Sequence, residues 1–178
     1  MIFYQNVRGL RTKVNDIYLS STENDYEIIT FTETWLNEEI NSSELFDTRY
    51  TVFRQDKPNS ELNEVRGGVL LAVNKRLPVE RIPQYEVNVE GCENIWVKLH
   101  GYSYSKRTLY IGLYYIPPNI HISTYRLLSE NIIRLVADGI DVLILRDFNV
   151  PFFYHWYSKN MNDEVQDENN PTIIDKYS

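Results

Sequence analysis

The stretch "STYRLLSENIIRLVADGIDVLILRDFNV", residues 123–150, decides the fold class because it places a helix directly before a buried strand. Apolar residues recur every three or four positions, Ser123 is a candidate N-cap and Gly139 ends the pattern, as in a helix with one buried face. The apolar run 142–145 follows at once and is typical of a strand that is covered on both faces. This unit indicates an α/β protein.

The other segments of the chain predict more strands and helices. Strands are predicted at 2–6, 26–34, 50–56 and 67–73, helices at 10–21 and 37–46, and a loop at 57–66. Up to four more strands, "VERIP", "YEVNV", "ENIWVKLH" and "TLYIGLYY", precede the Pro117-Pro118 pair. We therefore expect mixed sheets in which the apolar strands 67–73 and 142–145 lie in the middle.

The length and charge of the chain limit the classes of protein that fit. The 178 residues fit one domain, and the net charge of −7 disfavours binding of nucleic acid through bulk charge alone. An enzyme that meets phosphates through a metal ion is compatible with this charge. The composition becomes polar and acidic near residue 158, which divides the chain into a domain, 1–157, and a tail, 158–178, either a surface excursion or a frayed end.

The number of cysteines and the length of the apolar runs indicate the cellular environment. Cys92 is the only cysteine, so no disulfide can form within the chain, and a reducing compartment is the simpler interpretation. No apolar run approaches the length that spans a bilayer. We expect a soluble intracellular protein that has no membrane partner.

Polar side chains follow three of the predicted strands, at the point where each strand ends. Asn6 closes the first, Glu33 the second, and Asp147 and Asn149 follow the last. Open α/β sheets tend to build their sites at such ends, and carboxylates from separate strands suit Mg²⁺, which prefers oxygen ligands. Each residue also has an ordinary interpretation, as a turn former or, for Glu33, as the start of a helix.

Five motifs in order carry a family resemblance: "QNVRGL" (5–10), "TETWL" (32–36), "RGGVLLAV" (66–73), "YYIPP" (114–118) and "RDFNVP" (146–151), with Trp156 nearby. The chain resembles the endonuclease/exonuclease/phosphatase superfamily over residues 1 to about 157. More narrowly, it is similar to the apurinic-endonuclease-like domain encoded by insect-type non-LTR retrotransposons. The resemblance implies a four-layer α/β sandwich, with two mixed β-sheets face to face and helices outside.

The resemblance also implies an activity and its setting. It implies hydrolysis of a DNA phosphodiester, the nicking of a retrotransposon target site, with Mg²⁺ as cofactor and Mn²⁺ as a possible substitute. A nuclear location and fusion to a reverse transcriptase are further expectations of this kind. Mg²⁺ would polarise the phosphate and stabilise the leaving 3′ oxygen, while a positioned base aims water from the opposite side.

The resemblance assigns roles to individual residues. Glu33 matches a metal-binding glutamate, and Asn6 matches an asparagine that helps to position metal and phosphate. Asp147 matches the aspartate that orients or deprotonates the attacking water, and Asn149 the asparagine that holds the phosphate. Tyr115 matches a tyrosine whose hydroxyl faces the scissile phosphate, although in "YIGLYY" it can equally be a core or sheet-face residue.

Cations near the motif ends are candidates for contact with the substrate. Arg8 and Arg66 are predicted to bind the nucleic acid, and Arg11 and Lys13 lie close by in the sequence. Because these cations would survive the loss of catalytic groups, a non-catalytic module that binds nucleic acid or protein is an alternative function. A relic with no function is the remaining alternative.

Two departures from the family pattern bear on activity. Arg146 stands where the family has a glycine, and it either pairs with Asp147 or points outward and adds a phosphate-binding charge. The Ser-Asp-His motif that ends the family's catalytic set is absent, and none of His100, His121 and His155 lies in a matching context. We therefore expect weak or no nicking, from a copy shortened at its C-terminal end, with the last strands missing and sheet edges exposed.

Overall fold

Two β-sheets form the centre of the structure, a computed structural model that describes residues 1–56, 66–89, 91–101, 107–117 and 120–147. These residues belong to one compact unit, Met1–Phe148. Asn149, His155, the predicted tail 158–178 and nearly all of the predicted loop 57–66 lie outside the described residues. The predicted boundary at residue 157 also lies there and stays a prediction.

The N-terminal sheet has the strand order β1-β2-β4-β3 and consists of β1 (Ile2–Asn6), β2 (Ile28–Thr32), β3 (Tyr50–Gln55) and β4 (Val69–Asn74). Helix α1 (Val14–Glu23) carries the chain back between β1 and β2, so these two strands are parallel. The short helix α2 (Ser42–Leu45) precedes β3. Every residue of β4 is buried, and β4 lies between β2 and β3, which confirms the predicted central position of the first apolar strand.

The C-terminal sheet has the order β5-β6-β7-β8 and consists of β5 (Val79–Arg81), β6 (Glu93–Leu99), β7 (Leu109–Tyr115) and β8 (Asp141–Arg146). Helix α3 (Ile122–Ala137) joins β7 to its parallel neighbour β8. The predicted central position of the strand at 142–145 is wrong, because β8 pairs only with β7 among the described strands. Its apolar run instead reflects two covered faces, since alternate residues pack toward α3 and toward the other sheet.

Three clusters of buried side chains hold four layers together. The middle cluster lies between the sheets and includes Ile28, Val69, Leu71, Val73, Ile95, Val97, Leu99, Ile111 and Leu113. A second cluster packs the N-terminal sheet against α1 and α2, and a third packs the C-terminal sheet against α3. Each fully buried apolar side chain of this size contributes roughly 1.5–3 kcal/mol, so these layers supply the main stabilisation. The predicted α/β sandwich of two mixed sheets flanked by helices is confirmed.

The segment "YEVNV" does not form the strand that its sequence predicts. A 3-10 turn occupies Pro83–Tyr85, and an isolated bridge joins Val89 to Cys92. Proline has no N–H to give to a ladder. The side chain of Asn94 supplies the hydrogen bonds that a neighbouring strand would otherwise provide. It accepts from the Val87 N–H at 2.9 Å and donates to the Val87 carbonyl at 2.8 Å.

Helix α3 begins one residue earlier than predicted and ends before Gly139, as predicted. Its N-cap is His121 and not Ser123, because the imidazole Nδ1 accepts from the Ser123 N–H at 3.3 Å. At the other end Gly139 adopts a φ of +72°, and the Ile140 N–H donates to the Leu135 carbonyl at 3.2 Å. No helix within the described ranges is long and apolar enough to cross a bilayer.

Candidate active site

Three strand ends meet at one edge of the sandwich, where Asn6, Glu33 and Asp147 come together. The Asn6 amide Nδ2 donates to Glu33 Oε1 at 3.1 Å and to Asp147 Oδ2 at 2.5 Å. Its Oδ1 accepts from the Arg8 backbone N–H at 3.1 Å. Because an amide nitrogen carries two hydrogens, one side chain can hold both carboxylates. The structure thus brings together three residues that the sequence analysis placed in one site.

The backbone around Glu33 adopts a conformation that side chains with a Cβ rarely take. Glu33 has a φ of +55° and Trp35 a φ of +53°, both in the left-handed region. The Glu33 carbonyl accepts from the Gly9 N–H at 2.8 Å, and the Thr34 carbonyl accepts from the Leu10 N–H at 2.8 Å. These bonds hold the end of β2 against the loop that follows β1, so the surrounding structure maintains the strain.

Two glycines allow this close packing. A Cβ on Gly9 would lie 2.7 Å from Cε3 of Trp35, and a Cβ on Gly68 would lie 2.5 Å from Oγ1 of Thr34. Both glycines also have positive φ values, +94° and +85°. The glycines of "QNVRGL" and "RGGVLLAV" are therefore required by the geometry that presents Glu33.

Tyr115 ends β7 beside these carboxylates and is 7% exposed. Burial raises the pKa of its hydroxyl to about 12, and the charges of Glu33, Glu93 and Asp147 add to this rise. The charge of Arg66 opposes it. At neutral pH the phenol therefore keeps its proton and is available as a hydrogen-bond donor. The location fits the predicted role, and the contact with a phosphate stays a prediction.

A second tyrosine, which the sequence analysis did not single out, lies under Asn6. Tyr4 and Asn6 share one face of β1 because they are two residues apart, and the Tyr4 hydroxyl lies 3.3 Å from Thr32 Oγ1. Burial raises the pKa of Tyr4, and the charges of Asp147 and Glu33 contribute to the rise. The sequence signal for Tyr4 is its position in the strand "IFYQN", because alternate residues of a strand share a face and Tyr4 lies two residues before Asn6.

Both predicted substrate-binding arginines are exposed beside the carboxylates. Arg8 follows Asn6 closely on the loop after β1, with a φ of +46°. Arg66 precedes the Gly67-Gly68 turn, close enough to Tyr115 for its charge to lower the pKa of the phenol. Arg11 is also exposed, and its Nε donates to the Trp35 carbonyl at 2.9 Å. Their contact with a nucleic acid stays a prediction.

The side chain of Arg146 lies on the outer face of β8, the face that packs against α3. Val142 and Ile144 pack in the α3 cluster, whereas Leu143 and Leu145 pack between the sheets. The Arg146 guanidinium accordingly lies 5.7 Å from the ring centroid of Tyr125 on α3. Burial lowers its pKa. Tyr125 thus supplies an aromatic surface for this long cation.

The two histidines in the described part of the chain have other partners. His100 Nε2 lies 3.1 Å from Glu80 Oε1, at the far end of β6 from Glu93, and His121 caps α3. Sequence reasoning assigned neither to the site, and the structure agrees with that choice. Glu93, in contrast, is a carboxylate of the site that the sequence analysis missed. Its signal is a charged residue at the first position of a strand with an apolar centre, "ENIWVKL".

The donor set of the site fits a hard divalent cation. Glu33 and Asp147 present two carboxylates bridged by one amide. The described residues contain no group of three His, Cys, Asp or Glu side chains that could hold a metal. Mg²⁺ does not require such a cage, because it usually binds through one or two carboxylates together with waters and substrate phosphates.

The chain has matches among known proteins in its structure and not in its sequence. No family model and no curated protein matches the sequence. An AP endonuclease, LMAP, from Leishmania major matches the structure with a TM-score of 0.60 and 15% identity, over 84% of this chain and 55% of that one. The human Nocturnin catalytic domain matches with a TM-score of 0.57 and 14% identity, over 90% and 69% of the two chains.

The catalytic domain of Xenopus laevis APE2 matches with a TM-score of 0.57 and 14% identity, over 84% of this chain and 58% of that one. The chain therefore spans little more than half the length of the LMAP and APE2 structures. At these identities the likeness concerns the fold. The described part of the chain shares the α/β sandwich fold of these three structures.

Proposed function

We propose that this chain is a Mg²⁺-dependent phosphodiesterase domain that nicks DNA. The single observation that carries the proposal is the Asn6 amide, which holds the carboxylates of Glu33 and Asp147 side by side at the ends of three strands. Such a pair, formed by separate elements and presented at an edge, is what a divalent cation and a phosphate require.

Glu33 would hold the metal ion, with Asp147 as its neighbour. When bound, Mg²⁺, or Mn²⁺ in its place, would supply Lewis acidity to a phosphate oxygen. The left-handed backbone of Glu33 is held by hydrogen bonds from the loop after β1, so this carboxylate is placed before any ligand arrives. A site organised in this way does not have to reorganise during the reaction.

The remaining side chains would manage protons and orientation. Asp147 would accept the proton of the attacking water as a general base. Tyr115 keeps its proton at neutral pH, because even the ordinary tyrosine pKa of 10.0 lies well above that pH, so its hydroxyl would donate to a phosphate oxygen. Asn6 would keep the two carboxylates in place, a role that the structure suggests in addition to contact with the phosphate. Asn149 would hold the phosphate, as the resemblance implies.

DNA is the substrate that these features favour. Arg8 and Arg66 are exposed beside the carboxylates and offer local cations in a chain whose net charge is −7. Phosphate contacts from a few arginines suffice when a metal ion shares the charge. One of the structures with the same fold, LMAP, is an AP endonuclease.

The setting of this activity follows the motif resemblance. We propose an origin in a non-LTR retrotransposon, with a role in target-site cleavage, a reverse transcriptase as fusion partner and the nucleus as location. The wording of "QNVRGL" and "TETWL" supports this narrower assignment. We expect slow nicking, because no histidine of the described residues lies in the site to stabilise charge on the phosphate. One such group is worth roughly a hundredfold or more in rate.

The proposal is tested by nicking of supercoiled plasmid in the presence of Mg²⁺. We expect conversion to the open circle by the wild-type chain, and none with EDTA. Glu33→Gln should lower the rate at least about a hundredfold, since one metal-binding carboxylate is lost. The matched control is Glu80→Gln, an exposed glutamate on β5 that bonds His100 and lies outside the site.

Two results would contradict the proposal. The first is DNA bound at low salt and left intact at every Mg²⁺ and Mn²⁺ concentration, which is the behaviour of a binding module. The second is nicking that Glu33→Gln and Glu80→Gln reduce to the same extent, since the activity would then not depend on the site.

A further inference from the structure

A third carboxylate belongs to the neighbourhood of this site. Glu93 is the first residue of β6, and its antiparallel partner across the sheet is Tyr115. Its side chain is 6% exposed, and its charge is among those that raise the pKa of Tyr115. Glu93 is thus a buried carboxylate in the strand that pairs with the site residue Tyr115.

The Glu93 side chain lies directly against the glycine turn before β4. A Cβ built on Gly67 would lie 2.9 Å from Glu93 Oε2 and 3.3 Å from its Cδ. The backbone carbonyls of the same turn form hydrogen bonds with the two residues that follow Glu33. The Gly67 carbonyl accepts from the Trp35 N–H at 3.0 Å, and the Gly68 carbonyl accepts from the Thr34 N–H at 3.2 Å. A continuous path of contacts therefore runs from Glu93 to the backbone of Glu33.

Hydrogen bonds fix the backbone at the start of β6, from which the Glu93 side chain extends to the turn. Its neighbour Asn94 is fully buried, and its backbone N–H donates to Gln55 Oε1 on β3 at 2.8 Å. The Asn94 side chain forms two more hydrogen bonds, to the N–H and the carbonyl of Val87. The start of β6 is thus bonded both to the other sheet and to the preceding segment, which fixes the backbone from which the Glu93 side chain extends.

We propose that Glu93 is a positioning residue that holds the Gly67-Gly68 turn against the end of β2 and so fixes the left-handed backbone of Glu33. The effect of Glu93 on nicking rests on the proposed function, whereas its effect on the turn and on Glu33 does not. Glu93 holds the turn through the volume of its side chain and not through its charge. A glutamine of nearly the same volume therefore replaces Glu93, and an alanine does not.

The first experiment measures thermal unfolding without DNA or metal. Gly67→Ala lowers Tm in the wild-type chain, because its Cβ meets the Glu93 carboxylate. In a Glu93→Ala background the same change lowers Tm by less, with a difference of at least about 2 °C. The Tm advantage of Glu33→Gly over Glu33→Ala also falls by at least half in that background, because the Glu33 backbone is free to relax. The inference is overturned if the Tm change of Glu93→Ala simply adds to that of Gly67→Ala and to those of the two Glu33 variants.

The second experiment measures nicking kinetics of the full chain. Glu93→Ala lowers kcat about tenfold or more and leaves KM within about twofold, whereas Glu93→Gln stays within about threefold of wild type in both. Glu80→Ala, a matched loss of an exposed glutamate, changes neither. A Glu93→Ala protein that folds and keeps its kcat overturns the positioning role. Absence of nicking by the wild-type chain overturns the proposed function alone, because the unfolding cycles still decide what Glu93 holds.

Discussion

Replacing Glu33 by glycine and by alanine separates the strain of its backbone from the loss of its carboxylate. Both variants remove the same charge from beside Asn6 and Asp147, so any difference between them comes from the backbone. Glu33 has a φ of +55°, where a residue with a Cβ is disfavoured by roughly 1–2 kcal/mol. Glycine escapes this penalty, and alanine does not.

The magnitude follows from two opposing contributions. Glycine loses more backbone entropy on folding than alanine, which costs about 0.5–1 kcal/mol. The difference leaves Glu33→Gly more stable than Glu33→Ala by about 1 kcal/mol. For a domain of this size such a difference corresponds to a Tm higher by roughly 2–4 °C. Both variants should be almost inactive in the nicking assay, since each lacks the proposed metal-binding carboxylate.

Differential scanning calorimetry of the two variants measures this directly, with the same pair of changes at Glu130 as control. Glu130 is exposed in the middle of α3, where glycine should be less stable than alanine by about 1 kcal/mol. The sign of the glycine effect should therefore be opposite at the two positions. A Glu33→Gly protein that melts at or below Glu33→Ala, while the Glu130 pair behaves as expected, would refute the strained geometry.

Three further outcomes are expected from the packing and the ionisable groups. Gly112→Ala should destabilise the fold by roughly 1–3 kcal/mol in urea unfolding, because its Cβ would lie 2.8 Å from Cζ2 of the fully buried Trp96. Cys92, 4% exposed and with a thiol pKa raised by burial to about 11, should react with a thiol reagent at pH 8 more than about a hundredfold slower in the folded chain than in urea. Because the unfolded Tyr115 ionises near its ordinary value of 10.0 and the folded one near about 12, the free energy of unfolding should fall as pH rises between these values. Tyr115→Phe should flatten that fall, and an unchanged slope would contradict the assignment.

The convergence of Asn6, Glu33 and Asp147 could be predicted because it follows from strand ends. The parallel strands β1 and β2 place Asn6 and Glu33 at one edge of the N-terminal sheet. Asp147 follows β8 of the other sheet, and the face-to-face packing of the two sheets brings it to Asn6. The layers of the fold follow in the same way, from continuous apolar runs that need cover on both faces. The sequence pattern did not reveal the left-handed φ of Glu33, because that depends on hydrogen bonds from residues distant along the chain.

The misses have equally local causes. Glu93 was overlooked because nothing in the predicted strand "ENIWVKLH" connects its first residue with the other polar strand ends, and only the packed turn at Gly67 shows its contact. Among the described strands β8 lies at the edge of its sheet and not in the expected middle, because an apolar run reports covered faces and carries no information on neighbours within the sheet. Ser123 was expected to cap α3, but the imidazole of His121 performs this function two residues earlier.

The most direct test of the account is the single-turnover rate of plasmid nicking by wild type and Asp147→Asn, measured side by side with Mg²⁺. The substitution keeps the size of the side chain and removes the carboxylate that Asn6 holds beside Glu33. We expect a slow but measurable rate for the wild-type chain and a rate lower by about a hundredfold or more for the variant. Equal rates for the two proteins, or nicking that persists without a divalent cation, would contradict the claim that this cluster is an active site.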